Sequence, residues 1–208
     1  MQNVYKLNSE GLAQSINFLN AVENQTSTSL QDLVDSIPRV GPIVAQLGGS
    51  FKDTAAMMVA MKEAGVPAAQ GANAIKSTLL SLLNPTKSAR DAFSSMHINL
   101  KKMVEDTGGR PIQMFMTLRK EMEGLNSLQK MQLLEKLFGK YQASRVSALI
   151  ENIGKVGSQT QTVFQLMGAS SEQLASLANK EIKQQTESAS GRFKRMVASL
   201  QADLIPIG

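Results

Sequence analysis

Apolar residues recur at steps of three and four along most of the chain, which is the spacing of one face of an α-helix. The polar run NQTSTS at 24–29 interrupts this pattern and predicts a kink or a loop. No stretch of useful length alternates between apolar and polar residues as a half-buried strand does. The pattern therefore predicts an all-α fold. Its first stretch, residues 8–37, carries the apolar positions Leu12, Ile16, Leu19, Val22, Leu30, Leu33, Val34 and Ile37.

Proline and glycine divide the first half of the chain into separate helices. The segment 38–49 contains two prolines and three glycines, which predicts a break because proline lacks a backbone donor and glycine is costly in a helix. Ser50 and Asp53 have the spacing of a capping box for a helix through residue 64. Gly65 is predicted to end that helix. Pro67 is predicted to begin the next helix, which extends to about residue 83.

Similar signals divide the residues from 84 to 168. Asn84 is the predicted cap of a helix that has Pro85 at its first position and ends near residue 96. Residues 97–110 are expected to be irregular. Four more helices follow. The first runs from Pro111 to about residue 123, and the second is capped by Asn126 and Gln129 and ends at Phe138. The third covers about residues 141–153, and the fourth starts after Gly154 and Gly157 and ends at Gly168.

The last helix is predicted to be the longest. Ser170 and Gln173 can form its capping box, and Pro206 prevents its continuation beyond about residue 204. Its apolar residues repeat with an eleven-residue period, which indicates a nearly straight or slightly right-handed seam that a packing partner would cover. That partner is either another helix alongside or the chain's own earlier helices. We divide the chain into an N-terminal helical segment, residues 1–49, and a helical core, residues 50–208, in which 113–208 includes the final helix.

The composition fits helices packed on helices. Aromatic residues are only 4% of the 208, while Met occurs 12 times and fills irregular gaps. This composition suits a multi-helix bundle or an elongated helical assembly. Cysteine is absent and His97 is the single histidine, which excludes disulfides and multi-histidine metal clusters. The net charge of +5 permits contact with nucleic acid or an acidic surface without requiring it, because no block of five like charges occurs.

The sequence contains no evident catalytic motif. There is no GxSxG elbow and no GxxxxGK[ST] loop, and a single histidine leaves little choice of base. The adjacent Glu105 and Asp106 precede two glycines and are expected to form a turn. Residues 60–78 resemble a helix-turn-helix, but the second helix offers one Lys and no Arg, so packing is the better interpretation. We predict that the chain is not an enzyme and binds no cofactor, metal or small-molecule substrate.

Two longer runs resemble the core region of phage tail tape measure proteins. The first, TAAMMVAMKEAGVPAAQGANAIKSTLLSLLNPTKSARDAF at 54–93, has an Ala-rich helix, a Gly-Val turn, a small-residue helix and a Pro-Thr-Lys helix start. The second, residues 108–153, has a Gly-rich entry, a helix, and then a helix that closes on Leu-Phe-Gly. The resemblance covers about residues 50–205. It departs at MHINLKK, where His97 stands in a turn that the family pattern builds with Gly.

The resemblance implies a structural role. Proteins of this kind set the length of the tail tube as helical rulers in its lumen, and leave before DNA passes. The implied partners are the tail tube protein, tail assembly chaperones, distal tail or baseplate proteins and further copies of the chain, often three. The implied location is the virion tail lumen, after assembly in the host cytoplasm, with any host-membrane contact made through other regions. The alternatives are a basic helical DNA-associated protein and a membrane-active helical protein in genome delivery.

The residues predicted to make interactions are apolar. Six lie in the first run and are expected to pack internally: Met57, Met61, Ile75, Leu79, Leu82 and Leu83. Three lie on the final helix and are expected to pack or self-associate: Phe193, Met196 and Leu200.

Overall fold

The computed structural model describes residues 2–177, with side chains from residue 4 onward. Residues 2–167 form eleven α-helices, and the described residues contain no strand, so the predicted all-α fold is confirmed. Residues 171–177 are helical as well. The helices are α1 (Gln2–Tyr5), α2 (Ser9–Gln25), α3 (Leu30–Gln46), α4 (Phe51–Glu63), α5 (Ala68–Leu83), α6 (Lys87–Ser94), α7 (Leu100–Asp106), α8 (Pro111–Glu121), α9 (Ser127–Phe138), α10 (Lys140–Ile153) and α11 (Gln159–Met167).

Helix α4 lies at the centre of the bundle. The side chains from Thr54 to Met61 are all buried, so α4 has no solvent-facing stripe. Such a helix must be covered on every side, and α2, α3, α5, α8, α10 and α11 all contact it. The predicted capping box begins it: Ser50 Oγ accepts from Asp53 N, and the Asp53 carboxylate accepts from Ser50 N at 2.6 Å. Residues 2–177 therefore form a bundle around one apolar helix.

The predicted break at 38–49 is wrong for most of its length. Helix α3 continues through Pro38 and Pro42 to Gln46. Both prolines are exposed, so the carbonyl groups that lose their donors face the solvent, where water can bond to them. On the opposite side Ile37, Val40 and Val44 are buried, and α3 packs on α4 and α5. The burial of this face outweighs the cost of the two prolines, and the chain turns only at Gly48, where φ is +75°.

Two boundaries in the segment 84–110 also differ from the prediction. Thr86, rather than Asn84, caps α6 by accepting from Ala89 N at 3.1 Å. Asn84 instead ends α5. The predicted irregular stretch contains α7, which Asn99 caps by accepting from Lys102 N at 3.0 Å. Helix α7 forms because its apolar side, Leu100 and Met103, is buried.

The later boundaries agree closely with the sequence pattern. The Asn126–Gln129 capping box begins α9, and the same reciprocal pair of bonds joins Ser170 and Gln173. The remainder of the predicted final helix lies outside the described residues. Helix α3 packs on α4 and α5, across the predicted domain division between residues 49 and 50. Whether residues 1–49 fold separately stays a prediction.

Candidate interaction surface

The six apolar residues predicted on α4 and α5 lie in and beside the core. Met57, Met61, Ile75, Leu79 and Leu82 are buried, and Leu83 is half-buried. The two helices approach closely where Gly71 faces Met61, since a Cβ atom at Gly71 would lie 3.0 Å from Met61 Cβ. A role for these six side chains in contacts with a partner stays a prediction. Phe193, Met196 and Leu200 lie outside the described residues.

A cleft opens where α5 ends and α6 and α7 follow, and we call it the α5–α7 cleft. Its volume is about 480 Å³. Leu82 and Leu83 contribute one wall, and Ile98, Leu100 and Val104 contribute the opposite one. Apolar surface is exposed here because the short helix α7 packs mainly on α8 and α5 and leaves a gap beside α6. A concave apolar wall with a few polar groups at its edge is the usual form of a binding site.

The corner between α6 and α7 shapes this cleft. Ile98 N donates to Phe93 O at 2.9 Å, and His97 N donates to Ser94 O at 3.0 Å. This pair of bonds ends a helix with its next residue in the left-handed conformation, a position that glycine usually occupies. His97 takes that position with φ +62°. The turn expected from the family pattern therefore forms with His in place of Gly. It buries Ile98 and leaves the imidazole exposed at the edge of the cleft.

Two cationic side chains, Arg90 and Lys101, and one carboxylate, Glu105, line the cleft. Arg90 Nη1 donates to Pro85 O at 2.5 Å, which holds the guanidinium in place and leaves its other N–H groups available. Lys101 Nζ lies 3.7 Å from Glu105 Oε1, but both side chains are more than 60% exposed, so the pair is weak. Among the lining residues, the two cations Arg90 and Lys101 and the one carboxylate Glu105 leave one net positive charge.

Sequence reasoning found only the Leu82 and Leu83 side of this cleft. The other side depends on α7, whose residues were predicted to be irregular. A local signal was present: Asn99 precedes apolar residues at positions 100, 103 and 104, which is the pattern of a capped amphipathic turn. The two glycines that follow at 108 and 109 led to the prediction of an irregular segment, because they leave room for a helix of only seven residues.

The walls of the cleft are mainly apolar, with a few polar groups among the lining residues, as in ligand-binding surfaces. Ser94 and His97 both line the cleft, and the backbone bond from His97 N to Ser94 O joins them, but within the described residues no hydrogen bond links their side chains. No group of three His, Asp or Glu side chains in residues 4–177 is placed to hold a metal ion. No helix within residues 2–177 has both the length and the apolar character needed to cross a membrane.

The shifted pKa values near the core have structural causes. Burial raises the pKa of Tyr5 to about 12, and its hydroxyl forms a 2.6 Å hydrogen bond with Thr54 Oγ1. A hydrogen bond from Lys62 Nζ at 2.8 Å lowers the pKa of Asp32. Neither Tyr5 nor Asp32 lines the α5–α7 cleft, so these shifts report packing and ion pairing rather than acid–base catalysis there.

Comparisons with known proteins agree with the resemblance seen in the sequence. The family "Phage-related minor tail protein" matches residues 1–139. "Probable tape measure protein" of Escherichia phage P2 is 24% identical over 163 residues, which are 76% of this chain and 19% of that protein. "Tape measure protein" of Pneumococcus phage Dp-1 is 22% identical over 185 residues, 87% of this chain and 16% of that protein.

The chain spans less than a fifth of the length of either relative. No solved structure matches it. The family match covers more than half of the chain and includes α1 to α9. The chain therefore belongs to the phage-related minor tail protein family.

Proposed function

We propose that this chain is a structural part of a phage tail and acts within a tape measure protein, which sets tube length as a helical ruler in the lumen and leaves before DNA passes. The observation that carries the proposal is the family match over residues 1–139. The names of the two relatives support it as well. The proposed partners are the tube protein, tail assembly chaperones, distal tail or baseplate proteins and other copies of the chain.

The folded part of the chain is poorly suited to measuring length. A single helix rises about 1.5 Å per residue, so 208 residues in one helix would span roughly 310 Å. The longest helices of the bundle have 17 residues and span only about 25 Å. We therefore assign residues 2–177 to a folded unit of the tape measure. We assign the measurement of tube length to a continuous helix. The sequence predicts such a helix for residues 170–204, and the longer relatives have more residues in which it could continue.

An insertion experiment in the phage that encodes this chain tests the assignment. Three further eleven-residue repeats, about 33 residues, are inserted after Ala189, which keeps the predicted seam in register and adds roughly 50 Å of helix. The matched control carries the same insertion at Gly124, an exposed residue between α8 and α9 that has no atom near its Cβ position. Tail length is measured on virions by electron microscopy.

The ruler proposal expects longer tails from the first insertion and unchanged tails from the control. The lengthening should approach 50 Å, because each added residue contributes its helical rise. If virions with the insertion after Ala189 assemble with tails of wild-type length, this chain does not measure length. Equal lengthening by both insertions would mean that the bundle unfolds along the tube.

A further inference from the structure

We propose that the α5–α7 cleft binds a peptide segment of another protein in which a large apolar side chain is flanked by carboxylates. The inference goes beyond the proposed function and does not depend on the ruler, because it concerns only the fold of residues 82–105. It rests on three features of the cleft: its apolar walls, the cations at its edge and the backbone conformation of His97.

The walls are suited to an apolar anchor. The inner residues Leu82, Ile98 and Leu100 are buried, while the outer residues Leu83 and Val104 are only partly covered and leave apolar surface for a ligand. The volume of about 480 Å³ lies within the roughly 300–1,000 Å³ typical of ligand sites. One or two large apolar side chains at successive turns of a helix, or at alternate positions of a strand, would fill it.

The edge of the cleft is suited to carboxylates. Arg90 is held by the Pro85 carbonyl and has no carboxylate partner among residues 4–177, and Lys101 is only loosely paired with Glu105. A fixed guanidinium can bind a carboxylate through two parallel N–H groups. Charge complementarity around an apolar anchor gives an interface its orientation, its specificity and a faster association rate. An acidic peptide therefore fits the cleft better than a basic one.

His97 supplies the third argument. It occupies a left-handed position that glycine adopts without strain, and its side chain is exposed, so its imidazole contributes little to the core. Strained non-glycine residues concentrate at binding and functional sites. Glycine would adopt this conformation at a lower energy than histidine does, yet an imidazole stands here, at the edge of the cleft beside Asn99 and Lys101. We assign it a contact with the bound peptide.

Three labelled synthetic peptides serve as probes of the full chain. The first has two Leu residues four positions apart, flanked by Glu; the second has the same Leu residues flanked by Lys; the third has the Glu residues but Ser in place of Leu. Fluorescence anisotropy measures the dissociation constants. The Leu/Glu peptide is expected to bind at least tenfold more tightly than either control, because only it satisfies both the walls and the edge.

Protein variants locate the binding in the cleft. Arg90→Gln combined with Lys101→Gln is expected to weaken binding of the Leu/Glu peptide at least tenfold, whereas Lys120→Gln, an exposed lysine on α8, changes it less than twofold. His97→Gly separates binding from folding, since it is expected to raise the melting temperature and weaken binding at least threefold. The proposal is overturned if no peptide binds, if the Lys-flanked peptide binds equally well, or if the Arg90/Lys101 variant binds as the wild type does.

Discussion

Lys52 and Glu63, at the two ends of α4, hold the two ends of α11. Lys52 Nζ donates to the Met167 carbonyl oxygen at 3.0 Å, at the carboxyl end of α11. The Glu63 carboxylate accepts from Gln159 N at 3.1 Å and Thr160 N at 3.4 Å, at its amino end. Each charge has the sign that the helix dipole favours at that end. These bonds fix α11 antiparallel to α4, although the paired residues lie 96 to 115 positions apart in the sequence.

The cap from Glu63 should contribute measurably to stability. Glu63→Ala is expected to lower the free energy of unfolding by about 2 kcal/mol, because the partly buried N–H and hydroxyl donors at the start of α11 lose a charged acceptor. Glu121→Ala, at an exposed position on α8, is the control and should change it by less than about 0.5 kcal/mol. Urea unfolding followed by circular dichroism measures both. Equal effects of the two substitutions would show that the Glu63 cap is energetically neutral.

Replacement of either proline inside α3 should raise the stability of the fold rather than lower it. Pro38→Ala and Pro42→Ala should each raise the free energy of unfolding by about 1–2 kcal/mol. Each restores a helical donor, and the loss of proline's rigidity in the unfolded chain offsets part of the gain. Pro67→Ala is the control: this exposed residue precedes α5 at φ −58°, where proline fits. It should lower stability by roughly 0.5 kcal/mol. Destabilisation by all three would mean that the α3 prolines are not strained.

Local signals were sufficient to predict most helix boundaries. The capping boxes that start at Ser50, Asn126 and Ser170 all form, because each needs only residues three positions apart. The break at Pro38 was wrong because the face that α3 buries depends on α4 and α5, and the prolines' exposure could not be read from the sequence alone. The contacts of Lys52 and Glu63 with α11 join residues about a hundred positions apart, so no local sequence pattern indicates them. The α5–α7 cleft was missed on its α7 side for a related reason, since a seven-residue helix is defined mainly by what it packs against.

The bundle should need α10 and α11 to fold. Both helices contact α4, and Asn152 Nδ2 on α10 donates to Ala60 O on α4 at 2.9 Å. Yet α10 and α11 lie beyond the family match, which ends at residue 139. A fragment of residues 1–139 is expected to lose cooperative unfolding and to bind hydrophobic dyes, because one side of α4 becomes exposed. A fragment of residues 1–177 should unfold cooperatively. Calorimetry and dye binding compare the two, and a cooperative transition for 1–139 would show that α10 and α11 are dispensable.

The buried phenol of Tyr5 predicts a loss of stability at high pH. A tyrosine in the unfolded chain releases its proton near pH 10, whereas burial raises the pKa of Tyr5 in the folded protein to about 12. Between these values the unfolded state binds fewer protons, so the free energy of unfolding falls as pH rises. The shift corresponds to at most about 2.7 kcal/mol, and we expect about 1–2 kcal/mol because the side chain is only partly buried.

Unfolding by urea from about pH 8 to about pH 12 tests this in the wild type, Tyr5→Phe and Tyr141→Phe. Tyr141 is 88% exposed and is the matched control, since lysine deprotonation and other general effects of alkali act on all three proteins alike. Tyr5→Phe should be about 1 kcal/mol less stable near pH 8, because Thr54 Oγ1 is buried and loses its partner. Above pH 10 its stability should fall less steeply than that of the wild type and of Tyr141→Phe. Identical slopes in all three proteins would mean that the Tyr5 phenol is not held protonated by the fold.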